Sequence, residues 1–463
     1  MGFLRRSRVC AALAALAAGV TVMGGTCPAV AEAPTLSASA PVPGPVPDAP
    51  PTGPRLAALD APGRPESGER VCSLRWPICV HGVRGAAGLE LLRVLDAAER
   101  AWDVETGALD LPAPDPDLDT RAYDIYAVLG VQGRARTVLG TRDPRAGMDR
   151  ASAFTLLDAS LARGNRCALE TAVAMAVARA SLFRVAPATD EGSARAESAY
   201  FARLAVPCAL GDDDGISVFQ ASPDRAVVDP FDVDFDRGAQ LFFWWLDASY
   251  SASPGALVRA LWALSPTVTP FGAARWNDEP DGFDVLRVTF KGALTSGSTV
   301  EDLFSEFGAS RALMGSRENG SELPEARPLD SALATRIDWT LDWPATPRRI
   351  TSPVPLAPTG SSYVLVHHAG AAPGARLRLE ASWEAHAAIR WVAVKLDAAG
   401  KEIGRIAVAA PPRAMEAQAT IVDLDGVDSI LVVATNVGDP YSVFDPDDEV
   451  FEPHGWLLTL AAE

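Results

Sequence analysis

The sequence predicts an α+β protein in which a mostly helical domain is followed by a β-sandwich. Three observations carry this. Apolar residues recur at helical spacing in long stretches before residue 345. That spacing then ceases, and seven short β-type runs separated by turns follow.

With 463 residues, the chain is long enough for two or three domains with full cores. Arg5, Arg6 and Arg8, the apolar run 9–23 and then Ala29-Val30-Ala31 read as a secretory signal peptide over 1–31, cut after Ala31. Lipid anchoring at Cys27 fits less well, because Thr26 makes a poor lipobox. No internal run approaches the ~20 apolar residues that span a bilayer. Losing three arginines and no acids would take the formal charge from −18 to −21. So acidic a surface repels nucleic acid and anionic membranes. The expectation is therefore a secreted or periplasmic protein with no transmembrane segment in the mature chain and no nucleic-acid partner.

Residues 32–70 are rich in Ala and Pro and are expected to form a disordered tether. The mature chain keeps Cys72, Cys79, Cys167 and Cys208, an even number that in an exported protein argues for two disulfides. Three pairings are possible. Cys72 with Cys79 and Cys167 with Cys208 is favoured, since the second bridge would staple the central helix to the end of the next.

The helical domain is read over 71–345. A strand is expected within 75–83, a helix over 89–104 through Leu91, Leu92, Leu95, Ala98 and Trp102, and a strand over 123–129. His81, near the first strand, reads as a satisfied structural histidine. The apolar run 154–158 leads to a central helix, N-capped by Asn165, with Leu169, Ala172, Val173, Ala176, Val177 and Ala180 on one buried stripe. A second helical segment covers 194–204. The loop 211–215 holds three aspartates but lacks EF-hand spacing, so it reads as a solvated acidic turn. Asp229, Asp232, Asp234 and Asp236 alternate with other residues and read as an extended lead-in. The aromatic run Phe242-Phe243-Trp244-Trp245 falls inside a helical pattern and reads as core. Ser298-x-x-Glu301 reads as a capping box.

From about 346 to 463 the runs 363–367, 377–381, 389–396, 403–409, 419–424, 430–434 and 456–460 predict the sandwich. Residues 397–401 read as a hairpin loop. His367 and His368 are adjacent in a strand and point to opposite faces, so they cannot pair on one metal.

The run 154–158, the helix bearing Leu169-Glu170-Thr171-Ala172-Val173 and the helix bearing Glu197-Ser198-Ala199-Tyr200 come in an order that resembles the active-site region of secreted bacterial zinc metalloproteases of the gluzincin kind. The segments 236–246, 257–262 and 298–307 extend the resemblance, which covers roughly residue 71 to the C-terminus. It implies a zincin-like domain with His-Glu-x-x-His on the central helix and a metal-binding Glu on the next. Laid on this chain, the histidines fall on Leu169 and Val173, the general base on Glu170 and the later ligand on Glu197. Neither Leu169 nor Val173 can donate a lone pair, and catalytic zinc needs three protein ligands plus an open position for water. Glu170 is then a vestigial base and Glu197 a vestigial ligand. No zinc or other cofactor is expected.

The resulting expectation is a metalloprotease-like protein that binds a protein or peptide ligand without hydrolysing it. One alternative is an active peptidase with a non-standard site, for which Glu170 and Glu197 are the candidate pair unless they are solvated or paired to Arg179 or Arg195. The other is a structural or adhesive envelope protein acting through the β-sandwich.

Overall fold

Strand β2 (Ile78–Gly82) is buried along its whole length, and β3 (Tyr123–Val128) and β5 (Ala151–Asp158) nearly so, as expected of the inner strands of a covered sheet. β1 (Glu69–Cys72) and β4 (Ala135–Arg142) complete the order β1-β2-β3-β5-β4. The inner pairings are parallel and both edge strands are antiparallel. The computed structural model describes residues 63–463 apart from 84–87, 132–133, 143–147, 209–213, 230–231, 271–275, 278, 293–298, 315–322, 324–325, 327–328, 330–332, 412 and 442–451. The expected signal peptide, Cys27, most of the tether and most of the acidic turn 211–215 lie outside the described residues.

One face of this sheet packs on α1 (Gly88–Trp102), which runs on into a π-helical turn (Asp103–Ala108), and on α3 (Arg166–Phe183). A single turn, α2 (Ala159–Arg163), joins β5 to α3, and Asn165 caps α3 by accepting from Cys167 N. Tyr126, Val138 and Phe154 form a small cluster on the other face, where the Arg64 guanidinium lies 4.9 Å over the Phe154 ring. Leu169 and Val173 join the sheet-side core while Ala178 and Leu182 join a second core, so α3 is buried well beyond one stripe.

That second core is helical. It is built by α4 (Glu191–Ala205), α5 (Asp214–Ala221), α6 (Val233–Gly238), α7 (Gln240–Tyr250), α8 (Ala256–Leu264), α9 (Gly282–Gly292) and α10 (Val300–Arg311). The aromatic run lies buried in α7, with the Phe242 ring 5.0 Å from Phe307 of α10. Two local readings need correction. The aspartates before α7 are not an extended lead-in: Asp232 caps α6, while Asp234 and Asp236 lie within it. The capping box of α10 sits one residue further on, between Thr299 and Asp302, because it is the Thr299 side chain that accepts from Asp302 N.

The C-terminal sheets have the orders β11-β10-β13-β8-β6 and β12-β9-β14-β7. Their strands are β6 (Trp339–Leu341), β7 (Arg348–Thr351), β8 (Ser361–His367), β9 (Leu377–Trp383), β10 (Ile389–Leu396), β11 (Glu402–Val408), β12 (Glu416–Ile421), β13 (Ser429–Asn436) and β14 (Trp456–Ala462). Their facing side chains share one core, as in a sandwich. β6, ahead of residue 346, pairs in parallel with β8 and so belongs to this unit.

Every residue of β13 is buried, because α10 and the two residues after it cover the outer face of its sheet, with Ala309, Ala312 and Leu313 against Val392, Val394 and Val433. Close approach requires Gly308: a Cβ there would lie 2.4 Å from Thr435 Oγ1 and 2.6 Å from Ser361 Oγ. Tyr363 Oη donates to the Gly308 carbonyl at 2.7 Å. The favoured disulfides are present, Cys72–Cys79 and Cys167–Cys208. Among the described residues no helix is long and apolar enough to cross a membrane.

Candidate functional site

The sequence-derived candidates do not converge on one point. Glu170 projects toward the surface side of α3, where its carboxylate is paired with Arg166 Nε at 2.6 Å and Arg100 Nη2 at 2.8 Å. Leu169 and Val173 are 2% and 0% exposed and pack in the sheet-side core. Glu197 lies elsewhere. It is buried in α4, and Trp262 Nε1 of α8 donates to its Oε2 at 2.8 Å.

Helix geometry explains the separation. The electrostatic surroundings of Glu197 include Arg179 of α3. Glu170 and Arg179 are nine positions apart, about 900° of rotation, which places them on opposite sides of the helix. The α3 side chain that the Glu197 carboxyl senses is therefore a guanidinium.

Around Glu197 four helices meet. Asp190 caps α4 by accepting from Gly192 N and Ser193 N. Asp281 precedes α9 and accepts from Phe283 N and Asp284 N at 2.7 and 3.0 Å. A Cβ at Gly282 would lie 3.6 Å from Glu197 Oε1, so α9 begins against this carboxyl. Burial, reinforced by the negative charges of Asp281 and Asp190, pushes the Glu197 carboxyl up to about 8, against the pull of the Trp262 hydrogen bond and Arg179. It is therefore mostly protonated at neutral pH.

Arg179 is itself buried. Its Nη2 donates to Glu191 Oε2 at 2.5 Å and its guanidinium stands 4.7 Å over the Phe183 ring. Arg195 continues the chain of charges, from Glu191 Oε1 at 3.1 Å to Asp236 Oδ2 at 2.8 Å. Burial raises the Asp236 carboxyl to about 7, although Arg195 and the Asp229 N–H favour its charged form. A network so arranged fixes α3, α4 and α6 relative to one another.

Two other polar groupings stand apart. Carboxylate oxygens of Glu279, Asp281 and Asp284 lie within 4.8 Å of one another, but Asp281 caps α9 and Asp284 pairs with Arg287 at 3.0 Å. In the sheet, His81 shares one nitrogen with Asp124 Oδ1 at 2.8 Å and the other with Ser67 Oγ at 3.2 Å, and its ring stacks on Tyr126. Asp124 also accepts from Arg64 and Thr120, and the hydrogen bonds from His81 and Thr120, with the charges of His81 and Arg64, hold its carboxyl below the usual range against burial.

Trp262, Asp281 and the role of Arg179 go beyond the sequence-derived site. Trp262 is 65 positions from Glu197, and nothing local to either residue signals the pairing.

The zinc implied by the family resemblance does not fit these residues. The two histidine positions carry hydrocarbon in a packed core, and the remaining ligand position is a largely protonated carboxyl, bonded to an indole and close to a buried guanidinium. A dication placed there would lie in the field of Arg179, and the acids that bear on Glu197 are committed to helix caps, Asp281 on α9 and Asp190 on α4.

No family model matches the chain, and no curated protein matches it. Among solved structures, it is similar to the pre-peptidase C-terminal domain of a collagenase from Bacillus anthracis, at 7% identity and a TM-score of 0.19, covering 27% of this chain and 97% of that one. It is also similar to the VP2 subviral particle protein of infectious bursal disease virus, at 11% identity and a TM-score of 0.15, covering 26% of this chain and 40% of that one. At these values neither likeness bears on function.

Proposed function

We propose that the chain is an exported protein with a metallopeptidase-like framework that binds a protein or peptide without hydrolysing it. What carries this reading is Glu197. A glutamate that ligates a catalytic metal has to be ionised and open to the metal. This one is closed over by Trp262, held near a pKa of about 8 and set in the field of Arg179. The order β5, α3, α4 supports the framework, and the two disulfides are compatible with an oxidising compartment.

The test uses a quenched fluorescent peptide library, scored for both turnover and retention, with the wild-type chain and Glu197→Gln, in the presence and absence of added zinc. Retention of a peptide subset without turnover supports the reading. Turnover that Glu197→Gln abolishes overturns it.

A second reading, an active hydrolase with a non-standard site, draws on the hydrogen-bonded order Ser67, His81, Asp124. It ranks below the first because the Gly68 N–H next to Ser67 is already bonded to the Gly82 carbonyl, and an acyl-transfer site needs donors directed at the developing oxyanion. Labelling by a fluorophosphonate that Ser67→Ala removes would promote it.

A further inference from the structure

A cavity of about 270 Å³ opens at the seam between α9, α10 and the sandwich. Its hydrocarbon wall is made by Trp383, Ile389, Phe304 and Val437, and its polar wall includes Arg390 and Arg413. Arg390 is placed there by strand register. Val392 and Val394 point at α10, so Arg390, two residues earlier on β10, lies on that same helix-facing side.

Among the described residues, nothing pairs with this guanidinium. Arg390 Nε is buried without a hydrogen-bond partner, although most buried donors have one. Arg413 stands 4.9 Å over the Tyr441 ring and has no carboxylate partner among the described residues. Arg287, a third cation on the lining, is already held by Asp284. In a chain of formal charge −18, two guanidiniums that form no ion pair among the described residues, set in one small cavity, make an anion-recognition element.

We propose that this cavity binds a small molecule with a single carboxylate and a short hydrocarbon tail. The carboxylate sits against Arg390, with Arg413 as the second cation, and the tail lies on Phe304 and Val437, which belong to the helix-side core. Glu301 and Asp439 line the same cavity and repel a second negative charge, which selects a carboxylate over a phosphate dianion. The volume is at the small end for ligand sites, which suits a fragment-sized acid or the last residue of a peptide.

The test measures binding to the full secreted chain by saturation-transfer NMR and calorimetry. The probes are hexanoate, hexanamide, hexyl phosphate, and N-acetyl-Ala-Leu with a free or amidated end. Hexanoate or the free-ended peptide should bind, both amides should not, and hexyl phosphate should bind more weakly. Whichever of the first two binds tighter identifies the source of the carboxylate. Arg390→Gln should weaken binding by about tenfold or more, the scale of a lost charge-assisted hydrogen bond. Arg413→Gln should weaken it less, and thermal unfolding checks that each variant is folded. Should Arg390→Gln fail to fold, the amide comparison and Arg413→Gln decide. The proposal is overturned if no carboxylate binds, if amides bind equally well, or if a folded Arg390→Gln binds like wild type.

Discussion

Replacing Glu197 by Gln should make the protein more stable, and by an amount that grows with pH. The unfolded carboxyl titrates near 4.5 and the folded one near 8. Between these values the native state holds a proton that the unfolded chain has released, so wild-type stability falls as pH rises through that window. Each unit of separation corresponds to about 1.4 kcal/mol. The penalty is thus about 1 kcal/mol at pH 5, about 3 at pH 7 and about 5 once both states are ionised. Gln has the same shape, its side-chain carbonyl can still accept from Trp262, and it never ionises. Urea unfolding of both proteins at pH 5, 7 and 8.5 should therefore show the variant gaining from about 1 to about 5 kcal/mol over wild type. A gain that does not change with pH, or a loss at pH 8.5, would refute the assignment of a buried, proton-holding Glu197.

Three further effects follow from the packing. Removing Cys167–Cys208 with Ser substitutions should cost about 4 kcal/mol and removing Cys72–Cys79 about 2, because their sequence separations are 41 and 7; chemical unfolding of each double variant measures both. Gly308→Ala should destabilise by about 1–3 kcal/mol through its clash with Thr435 and Ser361, and adding Ser361→Ala with Thr435→Ala should recover part of the lost melting temperature. Glu105 is fully buried and neither carboxyl oxygen has a hydrogen-bond partner among the described residues, so Glu105→Met should raise stability by about 1–3 kcal/mol in the same unfolding assay.

The parts of the fold legible in the sequence were those with one dominant period. Asn165 followed by Leu169, Val173 and Val177 specifies a capped, buried helix, and the β-type run 389–396 matches β10. Less legible were segments where two signals compete. β4 carries Arg136, Gly140 and Arg142 among its apolar residues, a composition suited to an edge strand but weak as a period-two pattern. The aspartates at 232, 234 and 236 mimic strand alternation although they belong to the cap and first turns of α6. At the candidate site the order of elements could be read, but which side chains meet could not. Glu197 acquires its partners from α8, the start of α9 and the far end of α3, and that convergence is set by how helices pack rather than by any local spacing.

The proposal of a binding protein without a zinc centre is tested most directly by the zinc content of the chain, purified without refolding and dialysed against trace zinc. Elemental analysis should find less than about a tenth of an equivalent, since Leu169 and Val173 offer no donor and Glu197 is buried and bonded to the Trp262 indole. Close to one equivalent, lost on replacing Glu197 by Gln, would contradict the account and return hydrolysis to this site.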